Sequence, residues 1–326
     1  MPDTILNLFQ PGKGILAADE SVSTATKRLE SVGVTSTEET RRQYRNLFLT
    51  APGVEKYISG VILFEDSMYQ ATNEEIPFAQ FLTSKGIEPG IKLDESTREM
   101  PGFPGEKITK GLDDLPQDLD NYRGLGATFT KWRTVISISD STPTHEAIEA
   151  NAIILAQYAR MAQNAGLVPI VEPEVLRDGN HSIEKAQDVT TNSLSRIFQI
   201  LAEYHVDLSN MILKTSMVVP GSDSNQEVSH EEVAKKTIEM LMASVPDTVP
   251  GIVFLSGGQT SDDAIRNLNE IAKFEPFPWA LTFSYARALQ GPALEVWRGK
   301  DENVNKAQKV FIETLKKVSF AEKGEL

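Results

Sequence analysis

The sequence predicts an α/β fold, a single (β/α)8 barrel of the TIM type covering residues 1–326 and ending in a short helical segment. Three observations carry this. Eight short β-type runs recur along the chain, they alternate with stretches of helical period, and their spacing of roughly 30–45 residues suits βα units. Eight such units close naturally into a barrel. A chain of 326 residues with 40% hydrophobic side chains can bury one large core.

The β-type runs are GILAAD (14–19), GVILF (60–64), GIKLD (90–94), FTKWRTVI (129–136), LVPIVEP (167–173), MILKTS (211–216), GIVFLSGG (251–258) and WALTFSY (279–285). Several open on or just after a glycine. Among the helical stretches, 37–51 follows Ser36 with Glu39 three residues on, a capping-box spacing. Residues 145–166 end on Gly166, a C-cap signal. Residues 229–245 open with Ser229 and Glu232, a second capping box. Residues 261–274 begin on an N-cap serine with two acids in the first turn, and a last helix covers about 303–319. The polar, Gly- and Pro-rich stretch 95–125 reads as a long loop after the third strand, of the kind that often carries function.

Composition narrows the function. No cysteine is present, so disulfides and thiolate metal sites are excluded. His145, His181, His205 and His230 are far apart, without a metal-binding spacing, and read as surface residues. A net charge of −14 argues against nucleic acid as a partner and requires any anionic substrate to be held by a local basic cluster. No apolar run approaches the roughly 18 residues of a membrane span. The opening MPDTILNLFQPGKG lacks the basic start and apolar centre of a signal peptide, so a cytoplasmic location is expected.

The active site of such a barrel lies at the C-terminal ends of its strands, and polar residues gather there. Asp19 and Glu20 end the first run, Lys92 and Asp94 the third, Lys131 and Arg133 lie in the fourth, and Glu172 and Glu174 end the fifth. Lys214 and Ser216 end the sixth, Ser256, Gly257 and Gly258 the seventh, and Ser284 and Arg287 lie at the eighth. Residues two apart on a strand share a face, so one mouth collects lysines, arginines and carboxylates. Lys214 interrupts the apolar run MILKTSMVV. In a dry pocket beside another cation, with Lys131 the candidate, its pKa is pushed down and its free amine becomes a nucleophile toward a ketone. The other reading is a lysine buried only to pair with Glu172. The turn SGGQ running into a helix offers N–H groups and a positive helix end to a phosphate, and Arg287 adds a guanidinium.

The sequence resembles the class I fructose-1,6-bisphosphate aldolases. The resemblance rests on GKGILAADES (12–21), GVILF, GIKLD, KWR (131–133), PIVEPE (169–174), LSGGQ (255–259), WALTFSYARALQ (279–290) and WRGKDENVNKAQ (297–308), in the family's order across nearly the whole chain. It implies a phosphosugar substrate, a Schiff base on Lys214, and no cofactor or metal. It further implies that Glu172, helped by Glu174, is the acid/base for carbinolamine dehydration. Asp19 takes the proton from the C4 hydroxyl, and Lys131 orients the charges. Ser256, Gly257 and Arg287 hold the C1 phosphate, Arg28, Lys92 and Arg133 serve the C6 phosphate, and Gly258 and Ser284 complete the substrate- and phosphate-binding set. A homo-oligomer, commonly a tetramer, is the family's habit.

Three features depart from the family. Thr215-Ser216 follow the lysine where Pro-Asn is usual. Ala286 stands where a glycine precedes the arginine, which raises the question of a positive φ at that point. The chain stops at Leu326 without a terminal tyrosine, so C3 protonation is expected to use Glu172 or a water it holds, and the last residues read as a solvated helix end. Other functions compatible with the residues are an aldolase for a seven-carbon bisphosphate, a Mg²⁺ enzyme built on Asp94, Glu172 and Glu174, and a non-catalytic scaffold.

Overall fold

The computed structural model describes residues 1–326, the side chain of Pro2 excepted. Helix α1 (Pro2–Leu8) precedes the first strand, β1 (Gly14–Ala18), which is followed by α2 (Val22–Ser31) and α3 (Glu38–Leu49). Next come β2 (Ile58–Leu63), α4 (Glu65–Tyr69), α5 (Phe78–Ser84) and β3 (Glu88–Lys92). A small hairpin, β4 (Thr97–Glu99) and β5 (Lys107–Thr109), and α6 (Leu115–Gly124) lead into β6 (Phe129–Ile136). The chain continues with α7 (His145–Asn164), β7 (Val168–Val175), α8 (Ile183–Glu203), β8 (Ile212–Ser216), α9 (His230–Ser244) and β9 (Gly251–Leu255). It closes with α10 (Ser261–Ala272), β10 (Ala280–Tyr285), α11 (Arg287–Trp297) and α12 (Val304–Ala321). Eight parallel strands form a closed barrel in the ring order β1-β10-β9-β8-β7-β6-β3-β2, as the pattern predicts.

The strands are buried on both faces, and the two faces have different partners. Leu16, Val61, Trp132, Val171, Leu213 and Ile252 point out to the helices, while Ile15, Ile62, Phe129, Ile170, Ile212 and Val253 fill the lower barrel. The helix α1, which the sequence pattern did not single out, closes the lower end with Ile5 and Leu8. The glycines that open the runs have a packing reason. A Cβ on Gly90 would meet the Phe129 ring at 2.3 Å, and one on Gly251 would meet Phe9 at 2.1 Å. Both separations are shorter than any real contact, so only glycine admits these rings.

Several boundaries shift by a residue. The first capping box is Thr37 with Thr40, each side chain taking the other's backbone N–H, because the Ser36 hydroxyl is occupied by Thr26 at 2.8 Å. The cap of α10 is Thr260, and Ser261 instead donates to Ala288 O at 2.6 Å. Gly166 ends α7 with φ 77°, as expected; Ser229 caps α9 by accepting the Glu232 N–H, without the return bond from the Glu232 side chain that a full capping box has. Residues 95–125 are not one loop. They hold the β4–β5 hairpin, turned through Gly102 and Gly105 at positive φ, and α6. His145 and His205 are exposed, but His181 is buried and His230 is half-buried, bonded to Asn267. The tail is not a solvated end either. Glu322 is half-buried and accepts the Gly12 N–H at 2.9 Å, and Leu326 N donates to Asn269. Both contacts lie at the N-terminal end of the barrel, away from Lys214.

Candidate active site

The inward-facing positions climb each strand in steps of two. In β6 they run Phe129, Lys131, Arg133; in β7, Val168, Ile170, Glu172, Glu174; in β8, Ile212, Lys214, Ser216. Apolar side chains fill the lower layers, and charges begin one step higher. The register sets Lys92 beside Lys131 and, one step further along β6, Arg133 beside Glu172. Asp19 follows the end of β1 and completes the group.

Lys131, Glu172 and Lys214 are each exposed by 4% or less. Charges so deep require partners, and they have them. Lys214 Nζ lies 3.1 Å from Glu172 Oε1. Lys131 Nζ lies 2.7 Å from Asp19 Oδ2, 3.8 Å from Asp94 and 3.1 Å from Glu172 Oε2, the last an ion contact rather than an aligned hydrogen bond. Lys131 therefore bridges three carboxylates, and Glu172 bridges two lysines. Lys92 pairs with Asp94 at 2.8 Å and Arg133 with Glu174 at 2.5 Å.

These contacts set the ionisation states. Burial alone would raise the Asp19 pKa, but the charges of Lys131, Lys214 and Lys92 outweigh it and hold the carboxylate well below its usual range. Burial likewise opposes the ionised Glu172, and Lys131 and Lys214 reverse it, so its pKa falls. At Lys131 burial is overcome by Asp19, Glu172 and Asp94, and its pKa rises. Glu174 goes the other way: burial wins over Arg133 and holds its carboxyl above the usual range. Two glutamates on one face thus have opposite tendencies, the pattern expected of an acid beside a base.

Above this group opens a cleft of about 580 Å³, lined by Lys131, Glu172, Lys214, Asp19, Ser256, Gly257, Gly258, Ser284 and Arg287, with Lys92, Arg133 and Glu174 on the far wall. The volume suits a small phosphosugar. The turn Ser256–Gly258 carries positive φ at both glycines, and the buried Ser284 hydroxyl has no partner among the described residues. Ala286 has φ −109°, outside the left-handed region, so alanine is tolerated there. Ser216 Oγ donates to Val175 O at 3.1 Å, tying β8 to β7 beside Lys214 and Glu172. Arg28 reaches the cleft but is committed elsewhere. Its Nη1 bonds Glu20, Tyr44 and Gln290, on the β1–β10 side. That is the Arg287 side of the ring, not the Lys92–Arg133 side where the sequence reading put it.

The cleft also takes in Ser21, Ser23, Thr24, Ser96 and Lys107, which the sequence reading did not nominate. Ser21 lay within the quoted run ending in GILAADES and caps α2. Lys107 gave no signal, since its hairpin was hidden inside an apparent loop. The three carboxylates of the Mg²⁺ alternative, Asp94, Glu172 and Glu174, each face a lysine or arginine. A cation there would have to displace ammonium or guanidinium groups.

Comparison with known proteins identifies the family. A family model described as fructose-bisphosphate aldolase class-I matches residues 1–326. A protein of Xanthomonas axonopodis pv. citri named probable fructose-bisphosphate aldolase class 1 is 46% identical over 325 residues, covering 99% of this chain and 97% of that one. Cytosolic fructose-bisphosphate aldolase 4 of Arabidopsis thaliana is 48% identical over 315 residues, covering 96% and 80%. Fructose-bisphosphate aldolase C of Rattus norvegicus is 45% identical over 326 residues, covering 99% and 90%. The structure of the aldolase from Plasmodium falciparum, solved with TRAP and a small-molecule inhibitor, superimposes with a TM-score of 0.97 at 43% identity, covering 99% of this chain and 94% of that one.

Proposed function

The chain belongs to the class I fructose-bisphosphate aldolases, lyases that reversibly cleave fructose 1,6-bisphosphate to dihydroxyacetone phosphate and glyceraldehyde 3-phosphate, and on that premise we propose that Lys214 carries the reaction as a Schiff base. The observation that supports this best is the buried Lys214–Glu172 contact at 3.1 Å. One proton moved from the ammonium to the carboxylate yields a free amine and a carboxylic acid side by side. The amine adds to the C2 carbonyl. The acid then protonates the carbinolamine hydroxyl, which leaves as water, and an iminium and a Glu172 carboxylate remain. The same proton serves both steps, and charge balances throughout. Glu174, whose carboxyl burial holds above the usual range and so favours in its protonated form, is a second proton source nearby.

Cleavage follows. Asp19 accepts the C4 hydroxyl proton, the C3–C4 electrons flow into the iminium, and a neutral enamine is left with the aldehyde free to depart. The cations that keep Asp19 ionised also make it a weak base, so the iminium sink supplies the driving force. C3 then needs a proton. Asp19 and Glu172 share Lys131 as a neighbour at 2.7 and 3.1 Å, which gives the proton taken from O4 a short path to Glu172 and on to C3. Arg287, the Ser256–Gly258 turn and Ser284 hold the C1 phosphate. Lys92 and Arg133 face the C6 end, while Arg28 acts as a brace. The chain works as one catalytic domain. The cytosolic names of the Arabidopsis relatives support a cytoplasmic location, and a homo-tetramer is carried over from the family resemblance.

No step in this scheme uses a metal. Prolonged dialysis against EDTA is expected to leave the rate of fructose 1,6-bisphosphate cleavage unchanged. A large loss restored by Mg²⁺ or Zn²⁺ would overturn the lysine reading in favour of metal-assisted polarisation.

A further inference from the structure

Seven cationic side chains and five carboxylates line the cleft, which leaves two positive charges over when all are ionised. The ion pairs show where that surplus sits. Lys131, Lys214, Lys92 and Arg133 each have a carboxylate within 3.1 Å, and Arg28 is closed on Glu20. Two cations in the cleft lack such a partner among the described residues. One is Arg287. The other is Lys107, whose nearest carboxylate is the exposed Glu99 at 4.0 Å, a contact of little strength in solvent.

Lys107 is held in place by its backbone rather than its charge. The buried Glu106 accepts both the backbone N–H and the hydroxyl of Thr144, at 2.8 and 2.6 Å, and so fastens the β4–β5 hairpin to the first turn of α7. Asn151 Nδ2 donates to Lys107 O at 2.9 Å, and Thr109 Oγ1 donates to Arg133 O at 2.8 Å. The hairpin is therefore docked on β6 and α7. In the ring of eight strands, β6 lies half-way round from β10, where Arg287 stands. The two cations without close partners thus sit on opposite walls of one cleft, one for each end of a substrate with a phosphate at each end.

We propose that Lys107 is a specificity residue that binds the phosphate at the C6 end of the substrate, taking the charge-neutralising role that Lys92 and Arg133 cannot fully supply because each is already paired. The proposal rests on the aldolase reading above and deepens it. A dianion added beside Lys92–Asp94 and Arg133–Glu174 meets two nearly neutral pairs, whereas Lys107 presents an uncompensated ammonium on an anchored main chain. Its side chain is 43% exposed, so substitution does not disturb the core.

The test compares fructose 1,6-bisphosphate with fructose 1-phosphate, which lacks only the C6 phosphate. In Lys107→Gln and Lys107→Ala, the ratio of kcat/KM for the bisphosphate to that for the monophosphate is expected to fall about 10-fold, the lower end for loss of one charge-assisted contact. The change should lie in KM, Lys107→Arg should restore most of it, and Lys107→Glu should lower the ratio further. A ratio within about 2-fold of wild type for the Gln and Ala variants, or the same fall in the Arg variant, would overturn the assignment. Failure of the aldolase reading looks different: the wild-type protein would then cleave neither ketose.

Discussion

The lower and upper halves of the barrel are built from the same strands and hold opposite chemistry. Two residues along β6 separate Phe129, packed dry against the glycine rows, from Lys131, which touches three carboxylates. Two residues along β8 separate Ile212 from Lys214, and two along β7 separate Ile170 from Glu172. The difference teaches how a buried charge network is supported. The lower layer excludes water and fixes the strand register, and the upper layer inherits a rigid, low-dielectric floor on which ion pairs are strong and pKa values move. Substitutions below should therefore cost stability, and substitutions above should cost chemistry.

The sharpest contrast comes from Lys214→Met. The variant is expected to remain folded, since methionine is close in volume and apolar, while kcat falls at least ~10⁴-fold, more than about 5 kcal/mol of barrier. A folded variant with near-normal cleavage would place the chemistry elsewhere. Phe129→Ala, one layer down, should do the reverse. It empties the space against Gly60 and Gly90 and should destabilise the fold by about 3–5 kcal/mol in denaturant titration. The surviving folded fraction should retain its rate. A specific loss of kcat at full folding would blur the division between layers.

At the rim, Arg287→Ala removes an exposed cation and should weaken fructose 1,6-bisphosphate by about 1.5–3 kcal/mol in kcat/KM. The loss should exceed that for fructose 6-phosphate, which lacks the C1 phosphate. Equal losses would move the C1 site. The smallest effect belongs to the opposite end. Burial raises the Glu322 carboxyl to about 7, with Glu275 and Glu325 adding to it and the Gly12 N–H and Lys323 opposing. Its folded pKa lies above the unfolded value of 4.5, so its contribution is fully present below 4.5 and is lost as pH rises through about 7. Glu322→Gln should flatten the dependence of Tm on pH across that window and leave kcat unchanged. An altered rate would link the tail to the site.

Much of this was legible in the sequence because the barrel's period-two alternation puts the informative residues in view. Phe129, Lys131 and Arg133, or Ile170, Glu172 and Glu174, can be read straight off a strand. What stayed hidden depended on contacts between distant segments. Nothing local distinguishes Arg28 as a residue held by Gln290, 262 positions away. The hairpin of Lys107 looks like loop because its strands are three residues each and its anchor, Glu106, is recognisable only once Thr144 is beside it. Half-burial of Glu322 likewise follows from its contact with Gly12, 310 residues earlier.

Reductive trapping tests the Schiff base on Lys214 directly. The protein is incubated with dihydroxyacetone phosphate and borohydride, digested, and mapped by mass spectrometry. Irreversible inactivation is expected with one adduct, on the peptide carrying Lys214, and no adduct in Lys214→Met. An adduct on Lys131 or another lysine, or full activity with no adduct, would contradict it.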